Sequence, residues 1–164
     1  MVGVLAQTNF GGNLTIGGVP VWRSLQPPRA RGEPSPGDGS CMLIVATDAP
    51  IDARDLNRLA ARAIFGLART GSAYSNGSGD FAIAFSTAAS VRRGVLPPGR
   101  PVRTVEALAN DAMSPLFQAV AEATEEAVIN SLFRADAVRS VGGTVRALPL
   151  DSVLPVLRRR GVLP

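Results

Sequence analysis

Hydrophobic and polar positions change rhythm several times along the chain. Val2 to Thr8 is mostly apolar and of strand length, with none of the caps or polar leaders that usually open a domain. It predicts a strand entered in mid-fold. Gly11-Gly12-Asn13 makes a turn, and Leu14, Ile16, Val19 and Val21 predict a second extended segment pairing back as a hairpin. Residues 26–39 lack apolar periodicity and hold four prolines, which predicts a surface loop. That loop stops at Ser40. Ser40 to Thr47 is then a continuous apolar run, the pattern of a strand buried on both faces.

Asp52 is a good N-cap, and Leu56, Leu59, Ala60, Ala63, Ile64 and Leu67 follow at helical spacing until Gly71 closes the helix. Residues 70–80 are small and polar, and Phe81 to Ser86 alternates in bulk like a short strand. A linker from Arg92 to Arg103 precedes Ser114-Pro115, where serine as N-cap and proline in the first turn open the longest helix, to about Arg134. Its expected core stripe is Leu116, Val120, Ala123, Ala127 and Leu132. Thr144 to Leu148 reads as a last strand, and Asp151 as the cap of a final helix that ends at Arg158-Arg159-Arg160 and Gly161. Strands and helices in separate layers favour an α+β fold.

At 164 residues the chain fits a single domain, with roughly 68–70% of its unfolded surface buried. Its net charge of +4 comes from arginines scattered along the chain, and aromatic residues are only 5%, so the basic stripe with stacking aromatics of a nucleic-acid binder is missing. No run is long and apolar enough to cross a membrane. Cys41 is the single cysteine, which excludes an intramolecular disulfide framework and fits a reducing, cytoplasmic setting.

Residue inventory narrows the chemistry more sharply. All 17 basic residues are arginine, and neither lysine nor histidine occurs. Serine-histidine triads, cysteine-histidine dyads, lysine-based nucleophiles and imidazole-built zinc sites are therefore excluded. A serine nucleophile would still need a base, and an α-amino group, with an ordinary pKa of about 7.7–8.0, is one that composition does not count. A cut between Gly39 and Ser40 would give Ser40 a hydroxyl and its own base on one residue. The plain structural alternatives stand beside this: Ser40 as a serine that merely starts a strand, and Asn9-Phe10-Gly11-Gly12 and Asn76-Gly77-Ser78-Gly79-Asp80 as turns.

Three blocks change the weighting: Val2 to Gly11, Gly37 to Pro50, and Gly66 to Thr87 with its Ser75-Asn76-Gly77-Ser78-Gly79-Asp80 core. In order and content they resemble the DmpA-like L-aminopeptidase/D-esterase family, which includes β-peptidyl aminopeptidases and has threonine-nucleophile relatives in the nylon-oligomer hydrolases. The resemblance implies an autoprocessed hydrolase with an αββα sandwich, as in the ornithine acetyltransferase type. Cleavage between Gly39 and Ser40 would leave residues 1–39 as the end of an α chain and 40–164 as a β chain headed by the nucleophile, Ser40. By the same resemblance, Asn9 donates its amide to the oxyanion, while Ser78 and Asp80 hydrogen-bond the nucleophile and anchor the α-amine. Asn76 and Gly77 are candidates for substrate contact. Some relatives carry glutamate where this chain has Asp80.

The implied substrate is a small peptide, amide or ester, with neither metal nor organic cofactor. Family members carry a further segment ahead of the Val2 strand, with an active-site tyrosine and part of the substrate pocket. The expectation is thus a sandwich whose N-terminal part lies outside these residues, supplied by another segment or by self-association, in a family where homo-oligomers are usual. Tyr74, in the downstream loop, is not expected to replace that tyrosine. An inactive remnant serving as an association module, and acyl transfer of the ornithine acetyltransferase kind, are the competing readings.

Overall fold

Eight residues, Val2–Asn9, form β1, and their partner is the apolar run Ser40–Thr47, β2. The two are antiparallel, with Val2 opposite Thr47 and Asn9 opposite Ser40. β2 in turn pairs in parallel with β3, Gly79–Ser86, placing Ser40 beside Gly79 and Thr47 beside Ser86. β2 is therefore the central strand of a three-stranded sheet. The structure, a computed structural model, describes residues 1–25, 39–92, 94–96, 98–99, 101–141 and 143–164. Most of the predicted loop, residues 26–38, lies outside that set.

A parallel pair requires a crossover, and the helix α2, Ala53–Arg69, provides it. The Asp52 carboxylate caps it by accepting from the Asp55 N–H at 2.9 Å, and Gly71 follows with φ +99°, as the sequence predicts. The long helix α3, Ser114–Arg134, packs on α2 and on β1, so both helices cover one face of the sheet. Cys41, Leu43 and Val45 of β2 meet Leu59, Ala63 and Leu67 of α2 and Val120 and Val128 of α3 there. The α+β reading stands, with sheet and helices layered.

Several local expectations are corrected. Residues 14–21 do not pair with β1: Ile16 and Val19 bridge only each other, a four-residue helix α1, Trp22–Leu25, follows, and the place beside β1 belongs to β2. Nor is β2 buried on both faces. Cys41, Leu43 and Val45 are sealed, but Met42 and Ile44 are about two-fifths exposed, because no described element covers the second face. Leu5, Phe81, Ile83 and Phe85 share it, all largely exposed. In α3 the buried line is Val120, Thr124 and Val128; Ala123, Ala127 and Leu132 flank it half-buried. Thr124 is tolerated at the centre because its hydroxyl donates to the Val120 carbonyl at 2.7 Å.

Helix starts also shift. Ser114 is the first residue of α3 rather than its cap, which is Met113. The final helix α4, Leu150–Arg159, is capped by Pro149, with Asp151 inside its first turn where a carboxylate favours the helix dipole. Gly161 ends it with φ +71° after the arginine run, as expected. The last strand is a short hairpin, Val138–Ser140 (β4) with Gly143–Val145 (β5). Val153 and Leu157 of α4 close a second, smaller core over Ile16, Val19 and Val21.

Candidate active site

Register brings the predicted residues to one end of the sheet. Asn9 closes β1, Ser40 opens β2 beside it, and Gly79 opens β3 on the other side, in one row across the three strands. Ser40 is exposed, and its Oγ accepts from the Gly79 N–H at 3.3 Å. A Cβ at position 79 would press on the Phe81 ring at 3.2 Å and touch Ser40 Oγ at 3.4 Å. Residue 79 was not singled out in the sequence, because its role is visible only once the strands are paired.

Gly39 is buried directly behind the serine. A Cβ on it would sit 2.1 Å from the Asn9 carbonyl oxygen and 2.2 Å from Phe10 Cα, so only glycine fits between Ser40 and the end of β1. The Asn9 and Gly39 backbones are thereby packed against each other beside the Gly39–Ser40 peptide bond.

Ser78 and Asp80 arrive through a tight turn. The Ser78 N–H donates to the Ser75 carbonyl at 2.9 Å, with Asn76 and Gly77 at the turn's centre and Gly77 at φ +95°. The turn expected from Asn76-Gly77 is thus present. Ser78 Oγ donates to Asp80 Oδ2 at 2.8 Å. Asp80 stands opposite Cys41 in the register, one step from Ser40, and strand alternation turns its side chain toward the helix-covered face, whereas that of Ser40 leaves the open face. The second carboxylate oxygen, Oδ1, is buried and has no hydrogen-bond partner among the described residues.

Such a carboxylate perturbs its neighbours. Burial first, and the Asp80 charge second, push the Cys41 thiol up to about 11, so it stays a neutral, packed side chain. Burial and Asp80 likewise raise Tyr74, whose hydroxyl donates to the Ile64 carbonyl of α2. No group of three or more metal-ligating side chains occurs among the described residues. The assembled functions are a hydroxyl, an amide side chain, a half-buried carboxylate and backbone donors.

The L-aminopeptidase D-Ala-esterase/amidase of Ochrobactrum anthropi, described as a variant of the Ntn hydrolase fold, superposes with a TM-score of 0.74 at 27% identity, over 99% of this chain and 49% of its own. Residues 1–146 match Peptidase family S58, and the chain belongs to that family. The β-peptidyl aminopeptidase BapA of Sphingosinicella microcystinivorans is 41% identical over 96% of this chain and 43% of its own length. A β-aminopeptidase of Burkholderia sp. superposes with a TM-score of 0.79 at 36% identity, over 99% of this chain and 45% of its own. The chain thus spans less than half the length of these relatives. Among the described residues no helix is long and apolar enough to cross a membrane.

Proposed function

We propose that the chain is the nucleophile-bearing part of a self-processing serine aminopeptidase. The observation that carries this reading is the buried, unpartnered Asp80 Oδ1 one register step from Ser40. An orphaned carboxylate oxygen is costly unless a cation or donor arrives. Cleavage after Gly39 would create that cation, the Ser40 α-ammonium, beside it.

In processing, Ser40 Oγ attacks the Gly39 carbonyl carbon, the hydroxyl proton passes to the Ser40 nitrogen as the C–N bond breaks, and the acyl group moves from nitrogen to oxygen. Water then hydrolyses the ester, leaving a Gly39 carboxylate and a free Ser40 amine. In turnover that amine, when neutral, takes the hydroxyl proton as Oγ attacks the substrate carbonyl and returns it to the leaving amine; water then cleaves the acyl ester and restores the Ser40 hydroxyl. Asn9, beside Ser40 at the sheet end, supplies an amide donor for the oxyanion. Asp80, with Ser78 holding its other oxygen, anchors the α-amine. Asn76 and Gly77 edge the approach to Ser40. Substrates are short peptides, amides or esters with a free amino end, as the names of the relatives indicate for those proteins. No metal or organic cofactor takes part, and the setting is cytoplasmic.

The open apolar face of the sheet supports a second element: a further α-chain segment or another chain covers it in the active, oligomeric form, completing an αββα sandwich. If that cover is lost, the inactive association module is the reading favoured instead. Intact-mass analysis tests the main proposal: wild-type protein should appear as two pieces and Ser40→Ala as one. Uncut wild type that hydrolyses an aminoacyl p-nitroanilide would overturn it. Adding an acyl acceptor besides water separates hydrolysis from acyl transfer.

A further inference from the structure

A half-open cavity of about 350 Å³ lies beside the crossing of two loops and shares only Asn9 with the chemistry above. Phe10 and Leu14 form one wall, Thr70 and Gly71 at the end of α2 another, and Val128 and Leu132 of α3 the floor. Thr8, which also lines it, faces the helices, whereas Ser40 leaves the open face of the sheet. Cavity and nucleophile are thus on opposite sides of the sheet end, with Asn9 bordering both.

Its roof is fixed. The Asn13 N–H donates to the Gly71 carbonyl at 3.0 Å and the Thr15 N–H to the Thr70 carbonyl at 2.9 Å. The chains cross so closely that a Cβ on Gly71 would lie 1.9 Å from the Asn13 carbonyl oxygen. The two threonine hydroxyls in the walls are already engaged: that of Thr70 donates to the Leu67 carbonyl at 2.8 Å, and Thr8 Oγ1 pairs with Ser131 Oγ at 3.3 Å. None of the described lining residues is ionisable. A wall of this kind pays nothing for an ionic guest and rewards an apolar one.

We propose that this cavity is a binding site for a neutral, largely apolar small molecule. A cavity of roughly 150 Å³ lined by aliphatic groups takes benzene, and ligand sites begin near 300 Å³, so the guest here has about ten non-hydrogen atoms. The proposal does not depend on Ser40 being a nucleophile.

The test is titration of the whole chain with n-butylbenzene, followed by amide NMR. Saturable shifts are expected at Phe10 to Leu14, Thr70, Gly71 and Leu132, with Asn9 moving because it borders the cavity. Leu132→Trp, which fills the floor, should weaken binding at least tenfold; Leu14→Phe serves the same purpose if that variant does not fold. Ile83→Ser, on the open face of the sheet, should leave binding unchanged, as should Ser40→Ala. The proposal is overturned if no saturable shift appears. It is equally overturned if the shifts cluster on Leu5, Met42 and Ile44, survive Leu132→Trp and vanish with Ile83→Ser, because the guest then sits on the exposed sheet.

Discussion

Gly39→Ala tests the close approach that backs Ser40. The added methyl would meet the Asn9 carbonyl oxygen at 2.1 Å and Phe10 Cα at 2.2 Å, more than 1 Å inside the 3.4 Å at which ordinary contact begins. Neither atom is the free end of a side chain, so relief requires the last rung between β1 and β2, Asn9 with Ser40, to separate. Overpacking of this kind costs about 1–3 kcal/mol, and a ladder hydrogen bond adds about 1 kcal/mol. A loss of about 2–4 kcal/mol follows, or roughly 4–16 °C in Tm for a chain of this size. Denaturant and thermal melts measure it, with Gly3→Ala as control. Gly3 lies in β1, the strand whose end Gly39 packs against, with nothing within 4 Å of its would-be Cβ, and there alanine should be neutral or stabilising by about 0.5 kcal/mol. Separation of Asn9 from Ser40 should also slow self-cleavage in intact-mass time courses. A Gly39→Ala protein within about 0.5 kcal/mol of wild type and cut at the wild-type rate would show that the approach is not what holds the site.

Three further outcomes are expected. Asp80→Asn removes a half-buried charge whose Oδ1 lacks a partner among the described residues, so the uncut chain should keep or gain about 1 kcal/mol of stability while aminopeptidase turnover falls at least tenfold; a variant equally stable and fully active would detach Asp80 from the amine. The Cys41 thiol has a folded pKa of about 11 against an ordinary 9.0, so folding favours its protonated form. The stability this confers is complete below about pH 9 and is lost as pH rises through 11; Cys41→Val should flatten that decline in melts taken at stepped pH, and a thiol titrating below its ordinary value would contradict the packing. Ile83, 59% exposed on the open face, should tolerate Ile83→Ser within about 0.5 kcal/mol while light scattering from the isolated chain falls; a loss above 2 kcal/mol would mean that this face is already covered in solution.

Elements whose signals are local were readable from the sequence. α2 declares itself through Asp52, its apolar stripe and Gly71, and the end of α4 through its arginines and Gly161. Pairing was less legible. Leu14 to Val21 carries enough apolar residues for a strand, but its positive-φ glycines, Gly17 and Gly18, bend it back on itself, and Ile16 and Val19 are buried against α4 instead. The run Cys41 to Ala46 is apolar on both faces, and only the structure shows that its second face lacks a cover among the described elements. Continuous hydrophobicity reports what a strand can be buried against rather than what this chain supplies. Thr124 escaped notice for the converse reason: a polar residue sits in the core because its own helix satisfies its hydroxyl.

For the site, sequence supplied the residue types and topology supplied the juxtaposition. Asn9, Ser40 and Gly79 are 31 and 39 positions apart, and they form one row because an antiparallel rung and a parallel rung meet at the head of β2. A one-residue slip in either pairing would turn Ser40 toward the helices and Cys41 into the open. The buried line Cys41, Leu43, Val45 against α2 and α3 makes that slip costly, since it would expose three sealed apolar side chains at once. The core of this chain thus selects the register, and the register decides which face the Ser40 hydroxyl presents. Sequence alone does not show that the Asp80 carboxylate belongs to the other face, within one register step of the Ser40 backbone nitrogen, where an α-amine would form. That division, hydroxyl on one side and carboxylate on the other of the same strand end, is what would let one residue serve as nucleophile and base, as proposed, without its two functions competing for the same anchor.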